Sequence, residues 1–256
     1  MANLDDNIES LQKTDRVVHP TADTIKQAYI QDYEREYQRS IADPETFWDG
    51  IAKELDWFTP WSKVLEWNYP WAKWFVGATC NISYNCLDRH VNSWRRNKVA
   101  VIWVGEKGEE RIFTYAELAR QVNRCANGLK ALGLKKGDRV TIYLPKIPEQ
   151  IVAMLACARI GVIHSVVYSG FSAPALQTRV QDAEAQVVIT ADCGYDRGKR
   201  IELKGVVDEA VKTCPTVEKV IVVRRQHPGV TLTAPKEIDW NEWLASHSPI
   251  CAAEQL

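Results

Sequence analysis

The chain has 256 residues, of which 46% are hydrophobic and 25% are charged, and its formal net charge is -1. This length and composition support a large buried core, in one large domain or two modest ones. The balanced charge excludes a global electrostatic attraction for nucleic acid or for an anionic membrane. A polyanionic ligand therefore requires a local cluster of cations.

The cysteines and the apolar runs indicate the cellular environment. The seven cysteines are odd in number and show no C-x-x-C spacing, and most lie in apolar stretches, so we interpret them as reduced, buried thiols of a cytoplasmic protein. The beginning of the chain lacks the apolar core of a signal peptide, and no later run approaches the roughly 18 apolar residues of a membrane span. We therefore predict a protein that is neither exported nor embedded in a membrane.

The amino-terminal region, residues 1–97, contains most of the tryptophans. Seven of the ten lie between Trp48 and Trp94, and Pro60 and Pro70 interrupt regular structure there. We therefore predict an irregular segment that wraps the core. The side chains predicted to anchor it are Trp57, Trp61 and Trp67.

Two helices are predicted at or before the start of this segment. The first covers approximately residues 23–39. The second begins at Asp43 and Pro44, because a capping carboxylate followed by a first-turn proline is typical of a helix start. The wrapping segment is therefore partly helical.

From about Val99 the pattern changes to strands that alternate with helices, as in βα units. Thr114 and Glu117 have the spacing of a capping box, at the start of a helix that Gly133 ends. The later strands are apolar on both faces, which indicates a largely parallel sheet covered by helices, and right-handed crossovers favour a doubly wound arrangement. The predicted fold class is α/β, with residues 98–256 as one subdomain. The predicted strands cover residues 139–144, 162–168, 186–191 and 219–224, and the helices begin near residues 114, 148, 172, 202 and 239.

The first candidate site is the loop 168–172. Ligands approach an open parallel sheet at the carboxyl ends of its strands, so the loops that follow the strands are the places to search. Gly170 lets backbone come close to a ligand, and Ser172 begins a helix whose N-terminus favours an anion. The alternative is an ordinary turn from strand to helix in which Ser172 is only the N-cap.

The second candidate site is the loop 193–200. It carries three cations and two glycines after a predicted strand. Arginine and lysine bind phosphate, and glycine lets backbone N–H groups approach it, so the loop suits a phosphorylated nucleotide. The alternative is a solvated loop in which the cations form surface ion pairs, each contributing about 1 kcal/mol or less. The cations are Arg197, Lys199 and Arg200, and their possible partners are Asp192, Asp196 and Glu202.

Other side chains are weaker candidates for chemistry. His164 lies within an apolar strand, where a histidine is more often a hydrogen-bonded core residue than a base or a ligand. Cys80 and Cys86 have no histidine at zinc-finger spacing, so no metal site is predicted. The sequence contains no P-loop, no dinucleotide-binding glycine motif and no nucleophile elbow, so it offers no familiar route for phosphoryl transfer.

Several short segments occur in an order that resembles one enzyme family. The most specific reads Ser-Tyr-Asn-Cys-Leu-Asp-Arg-His at residues 83–90, after Trp-Asn-Tyr-Pro at 67–70. Together the segments span nearly the whole chain and resemble the AMP-forming acetyl-CoA synthetases, the short-chain acyl-CoA synthetases among adenylate-forming enzymes. The further segments are residues 113–118, 137–140, 164–172 and 188–192.

The resemblance implies an activity and a ligand site. Enzymes of this family join a carboxylate to ATP with Mg²⁺, which gives acyl-AMP and pyrophosphate, and the thiol of CoA then displaces AMP. Residues 196–199 correspond to the family segment Arg-x-Gly-Arg/Lys, which holds the nucleotide end of CoA. Asp196 stands where the family has arginine, with Arg197 or Arg200 as candidate replacements. The predicted cofactor-binding residues are therefore Asp196, Arg197, Gly198 and Lys199, together with Gly170 from the first candidate loop.

The resemblance also implies that the adenylation residues lie outside these 256 residues. We therefore expect the chain to supply scaffold and part of the CoA site of an acetate–CoA ligase, and to form no acyl-AMP alone. The alternative is a non-catalytic nucleotide-binding or partner-docking module. The expected partners are CoA, ATP, a short-chain carboxylate and the remainder of the enzyme, without nucleic acid or membrane. An exposed sheet edge leaves a homo-oligomer open.

Overall fold

The computed structural model describes residues 17–225, 230–233 and 236–256. The chain divides into two compact units, one that ends at Glu54 and one that runs Leu55–Leu256. The division predicted near residue 97 falls inside the second unit and stays a prediction. Among the helices described, none is long and apolar enough to cross a membrane.

The first unit contains α1 (Ala22–Gln27), α2 (Tyr33–Ala42) and α3 (Pro44–Ala52). The prediction of one helix over residues 23–39 is wrong, because the chain leaves the helical conformation after α1 and restarts where the side chain of Asp32 accepts a hydrogen bond from the Arg35 amide at 3.0 Å. The start of α3 is confirmed. Its cap is Asp43, which accepts from the Thr46 amide at 3.0 Å.

The tryptophan-rich segment contains regular structure, so the prediction of an irregular segment is wrong there. Strands β1 (Lys63–Asn68) and β2 (Trp71–Val76) form an antiparallel hairpin. Pro70 lies in the turn between them, where it interrupts neither strand. Proline is tolerated in a turn because no ladder hydrogen bond is required of it there.

The three tryptophans predicted to anchor this segment behave differently. Trp67 is 66% exposed, so the prediction is wrong for this residue. Trp57 and Trp61 are half-buried, and their rings lie 5.1 Å apart and 5.4 and 5.1 Å from the ring of Phe75. They therefore pack onto the β1–β2 hairpin.

A buried polar network fixes the segment that follows the hairpin. The segment contains a π-helical turn (Tyr84–Asp88) and α4 (Arg89–Val91). The amide of Asn81 donates to the carbonyls of Ala158, Arg159 and Glu254 at 3.0, 3.1 and 2.9 Å. One buried side chain therefore connects three separate parts of the chain.

The region after residue 97 begins with a separate hairpin and a capped helix. Strands β3 (Val99–Val104) and β4 (Glu110–Thr114) pair only with each other in the part of the chain described. The next helix, α5 (Tyr115–Ala131), begins with the predicted capping box, in which Thr114 accepts from the Glu117 amide at 3.2 Å and Glu117 accepts from the Thr114 amide at 2.9 Å. The capping-box prediction is confirmed.

The remaining chain forms βα units and one more hairpin. Its helices are α6 (Pro148–Arg159), α7 (Ala173–Asp182), α8 (Lys204–Ala210), which a short 3₁₀ turn extends, and α9 (Trp240–Ala245). Its strands are β5 (Arg139–Tyr143), β6 (Ile163–Val166), β7 (Val187–Ala191), β8 (Cys193–Asp196), β9 (Lys199–Glu202), β10 (Lys219–Val223) and β11 (Glu237–Asp239).

Five of these strands form the central sheet, in the order β11-β10-β7-β5-β6, and every pairing in it is parallel. The connection from β5 to β6 runs in one direction along the sheet, and the connection from β6 to β7 runs back past β5. Because both crossovers are right-handed, their helices lie on opposite faces of the sheet. Helices α5, α6 and α9 pack in one group, and α7 and α8 in another. The predicted doubly wound α/β fold is confirmed. Strand β11 and the β8–β9 hairpin were not predicted.

Candidate ligand-binding site

The order of the strands locates a crevice at one edge of the sheet. The chain winds outward in opposite directions from β5 and β7, which are neighbours. At such a switch point the loops after the two strands diverge and leave a crevice outside their carboxyl ends. The candidate site is therefore expected beside the residues that follow β5 and β7.

A cavity of about 600 Å³ occupies this position. This volume lies within the range of small-molecule sites. The loops after β5 and β6, strand β8 and the end of β3 form its walls. The polar and glycine residues among its lining include Glu106, Lys146, Ser169, Gly170, Tyr195, Asp196 and Arg225.

Tyr143 holds the loop after β6 in place. Its hydroxyl donates to the carbonyls of Ser169 and Phe171 at 3.0 and 2.7 Å. Burial raises the pKa of Tyr143 above its ordinary value. Gly170 lies in this loop, and a Cβ there would come within 3.1 Å of the ring of Tyr168. The absence of a side chain at Gly170 therefore leaves room for that ring.

The predicted phosphate loop 193–200 is a β-hairpin. Strands β8 and β9 are antiparallel, and two residues connect them, Arg197 with φ of 51° and Gly198 with φ of 74°. Positive φ at both positions is the geometry of a type I′ turn, which matches the twist of the two strands. No atom lies within 4 Å of the position where Gly198 would carry a Cβ. The backbone conformation of the turn is sufficient to explain this glycine.

The structure divides the predicted site residues into two groups. Gly170 and Asp196 line the cavity. Arg197, Gly198 and Lys199 are exposed at the tip of the hairpin and are not among the lining residues. Arg200, which the sequence offered as a replacement cation, lies 2.9 Å from the carboxylate of its neighbour on β9, Glu202.

A second hairpin tip meets the first above the cavity. The turn between β3 and β4 brings the carboxylate of Glu106 to the amide of Gly198, which donates a hydrogen bond to it. The same turn places Nζ of Lys107 3.7 Å from the centroid of the Tyr195 ring. The two hairpins therefore contact each other through one hydrogen bond and one cation–π interaction.

Sequence analysis missed two residues that shape this site. Trp103 lines the cavity and donates from its indole to the carbonyl of Lys146 at 2.8 Å. Arg225 follows β10 and also lines the cavity. The rule that ligands bind after parallel strands also covers Arg225, because this residue lies just beyond the carboxyl end of β10. No local signal predicts Trp103, because its hairpin contacts the sheet at long range.

The remaining candidates have ordinary surroundings. His164 is half-buried on β6, opposite Val140 in the sheet, and burial lowers its pKa. Five cysteines are buried, and burial raises the pKa of Cys157 to about 12, but Cys86 is exposed, so the prediction of buried thiols is wrong for Cys86. Within the described residues, no three His, Cys, Asp or Glu side chains come together as a metal site would require.

Two family models match consecutive parts of the chain. The model described as acetyl-coenzyme A synthetase N-terminus matches residues 33–86, and the model described as AMP-binding enzyme matches residues 87–255. The second match alone covers more than half of the chain.

Named relatives agree with the family models. The acetyl-coenzyme A synthetase of Methanothrix thermoacetophila is 54% identical over 212 residues, which are 82% of this chain and 32% of that protein. The acetyl-coenzyme A synthetase of Chlorobaculum tepidum is 48% identical over 254 residues, which are 98% of this chain and 38% of that protein. Acetoacetyl-CoA synthetase from Streptomyces lividans has a similar structure, with a TM-score of 0.82 and 30% identity, over 93% of this chain and 39% of that one.

The chain spans about a third of the length of the relatives that it matches. The structural neighbour and both family models indicate the same kind of enzyme. The chain belongs to the family of AMP-binding enzymes, with the amino-terminal region of the acetyl-coenzyme A synthetases at its start.

Proposed function

We propose that the chain is the amino-terminal part of an AMP-forming ligase that joins a short-chain carboxylate, with acetate favoured, to CoA. In this reaction the carboxylate attacks ATP and releases pyrophosphate, and the CoA thiol then displaces AMP from the acyl-AMP. The observation that carries the proposal is the sequence identity with the acetyl-coenzyme A synthetase of Chlorobaculum tepidum, which is 48% over 254 residues of this chain.

The chain contributes scaffold and a wall of the CoA site in this proposal. The cavity at the sheet switch point supports that role, because it lies where nucleotides bind in folds of this class. Gly170 and Asp196 line it, and Arg197, Gly198 and Lys199 form the adjacent hairpin tip. We retain these five residues as the proposed CoA contacts, with the two exposed cations at the entrance attracting the phosphates of CoA.

The other components of the reaction belong to the remainder of the enzyme. ATP and Mg²⁺ bind there for the most part, and the acyl pocket and the catalytic residues also lie there. No residue of this chain therefore has a catalytic role. Exposed Ile163 and Val166 on the edge strand β6 support a further protein surface at that edge, from the remainder or from a second copy. The proposed compartment is the cytoplasm, without nucleic-acid or membrane partners.

The proposal predicts that the 256-residue chain alone forms no acyl-AMP. The measurement is acetate-dependent exchange of labelled pyrophosphate into ATP in the presence of Mg²⁺, with a full-length acetyl-coenzyme A synthetase as the positive control. The expected result is exchange by the control and none by the chain. Acetate-dependent exchange by the chain alone would show that adenylation residues lie within it, against the proposal.

A further inference from the structure

Two cations lie beside the ring of Tyr195, which lines the cavity. Nζ of Lys107 is 3.7 Å, and the guanidinium carbon of Arg225 is 5.1 Å, from the centroid of the Tyr195 ring. The backbone of Arg225 is fixed by buried Asp192, whose carboxylate accepts from its amide at 2.9 Å. Both cations therefore contact the Tyr195 ring, and Asp192 fixes the backbone from which the side chain of Arg225 extends.

The guanidinium of Arg225 is largely buried, and its ion pair with a carboxylate is too long for a hydrogen bond. Its side chain is 14% exposed, and Nη2 lies 3.6 Å from the carboxylate of Glu109, beyond the length of a hydrogen bond. The carboxylate of Glu109 is itself 43% exposed and therefore partly screened by solvent. A largely buried cation without a full set of hydrogen-bond partners favours an anionic ligand beside it.

The surrounding space is open to such an anion. A second cavity of about 560 Å³ adjoins the first, and Trp103, Ile147, Tyr195 and Arg225 line both. Cations outnumber carboxylates in the lining of the second cavity; of these cations, Arg111 pairs with Glu149 at 2.6 Å and Arg224 pairs with Asp239 at 3.2 Å. The cations are Lys107, Arg111, Arg224 and Arg225, and the carboxylates are Glu109 and Glu149.

The first cavity is lined by negative charge near the hairpin. Asp196 and Glu106 line the first cavity, and both carry carboxylates that repel an anion. Arg200 is occupied by Glu202, and Arg197 and Lys199 are exposed at the hairpin tip. Among the described lining residues, the hairpin therefore places no cation inside the first cavity to offset Asp196.

We propose that Lys107 and Arg225, positioned by Tyr195, bind a phosphate group of a phosphorylated ligand at the junction of the two cavities. Arg225 donates the planar pair of N–H groups that fits phosphate, and Lys107 adds a second charge. The organic part of the ligand extends into the first cavity, along Gly170. The identification of the ligand as CoA rests on the proposed function, whereas the phosphate site itself does not.

Titration calorimetry of CoA with the 256-residue chain and its variants tests this site. Arg225→Gln and Lys107→Gln are each expected to weaken CoA binding about tenfold, because each removes a charge-assisted hydrogen bond to phosphate. Arg225→Lys keeps the positive charge and is therefore expected to weaken CoA binding less than Arg225→Gln does. The matched control is Lys212→Gln, which removes the same charge from an exposed ion pair with Glu209 and is expected to change the affinity less than twofold. Circular dichroism and urea midpoints verify that each variant is folded.

The outcomes separate this inference from the proposed function. If the unmodified chain binds CoA and both glutamine variants bind it within twofold of that affinity, the phosphate site is refuted and the proposed function stands. If the unmodified chain binds no CoA, the CoA contacts proposed for this chain are refuted, and inorganic phosphate becomes the probe. Phosphate must then shift the NMR signals of the Arg225 amide and side chain in the unmodified chain and not in Lys107→Gln; the absence of such shifts refutes the site.

Discussion

Replacement of Arg159 by methionine is expected to lower the free energy of unfolding by about 3–5 kcal/mol. Its guanidinium, 3% exposed, donates to both carboxylate oxygens of Asp88 at 2.7 and 2.8 Å and also to the carbonyl of Cys251 at 2.8 and 2.6 Å. Methionine fills a similar volume but leaves the carboxylate and the carbonyl without their donor. Urea denaturation monitored by tryptophan fluorescence measures the loss.

Two further variants make this experiment specific. Lys130→Met removes an exposed ion pair to Glu254 at 3.2 Å and is expected to cost about 1 kcal/mol or less. The double variant Asp88→Leu, Arg159→Met is expected to be more stable than Arg159→Met alone, because no unpaired charge then remains. If Arg159→Met lowers the free energy of unfolding by no more than Lys130→Met does, the buried ion pair does not stabilise the fold as described.

Replacement of Gly128 by alanine is expected to destabilise the chain by about 1–3 kcal/mol, although alanine is the better helix former. Gly128 lies in α5, where it packs against the indole of Trp243 on α9. A Cβ at this position would lie 2.6 Å from Cε2 and 2.9 Å from Cη2 of that indole. The two helices must separate or the ring must move, and Trp243 is buried.

Gly205 provides the matched control for this substitution. It lies in α8, and no atom is within 4 Å of the position of an added Cβ. Gly205→Ala is therefore expected to stabilise the chain, by up to about 1 kcal/mol. The two substitutions thus have opposite signs in the same denaturation experiment. Stabilisation by Gly128→Ala would mean that α5 and α9 do not pack as closely as the structure shows.

The parts of the fold that depend on local signals were predictable from the sequence. Thr114 and Glu117 form a capping box within four residues, and the apolar runs of β5, β7 and β10 specify strands that are covered on both faces. The hairpins were not predictable in the same way. The pairing of β1 with β2 is set by contacts across the turn, and the turn at Arg197 and Gly198 lacks the common Asn-Gly or Asp-Gly signal.

The candidate site was predictable only in part. The rule for parallel strands identified the loops that contain Gly170 and Asp196, and both residues line the cavity. The sequence also contains Lys107 and Arg225. Lys107 lies more than 80 residues before Tyr195, and Arg225 lies about 30 residues after it. Only the folded sheet and the β3–β4 hairpin bring these three residues together.

The most direct test of the central claim is a titration of CoA into the 256-residue chain at low and at high ionic strength. The account predicts saturable binding that weakens clearly as salt is added, because the cations at the cavity and at its entrance attract phosphates through charges that ions screen. Absence of binding at low salt, or an affinity that does not change with salt, would contradict a CoA site built from these residues.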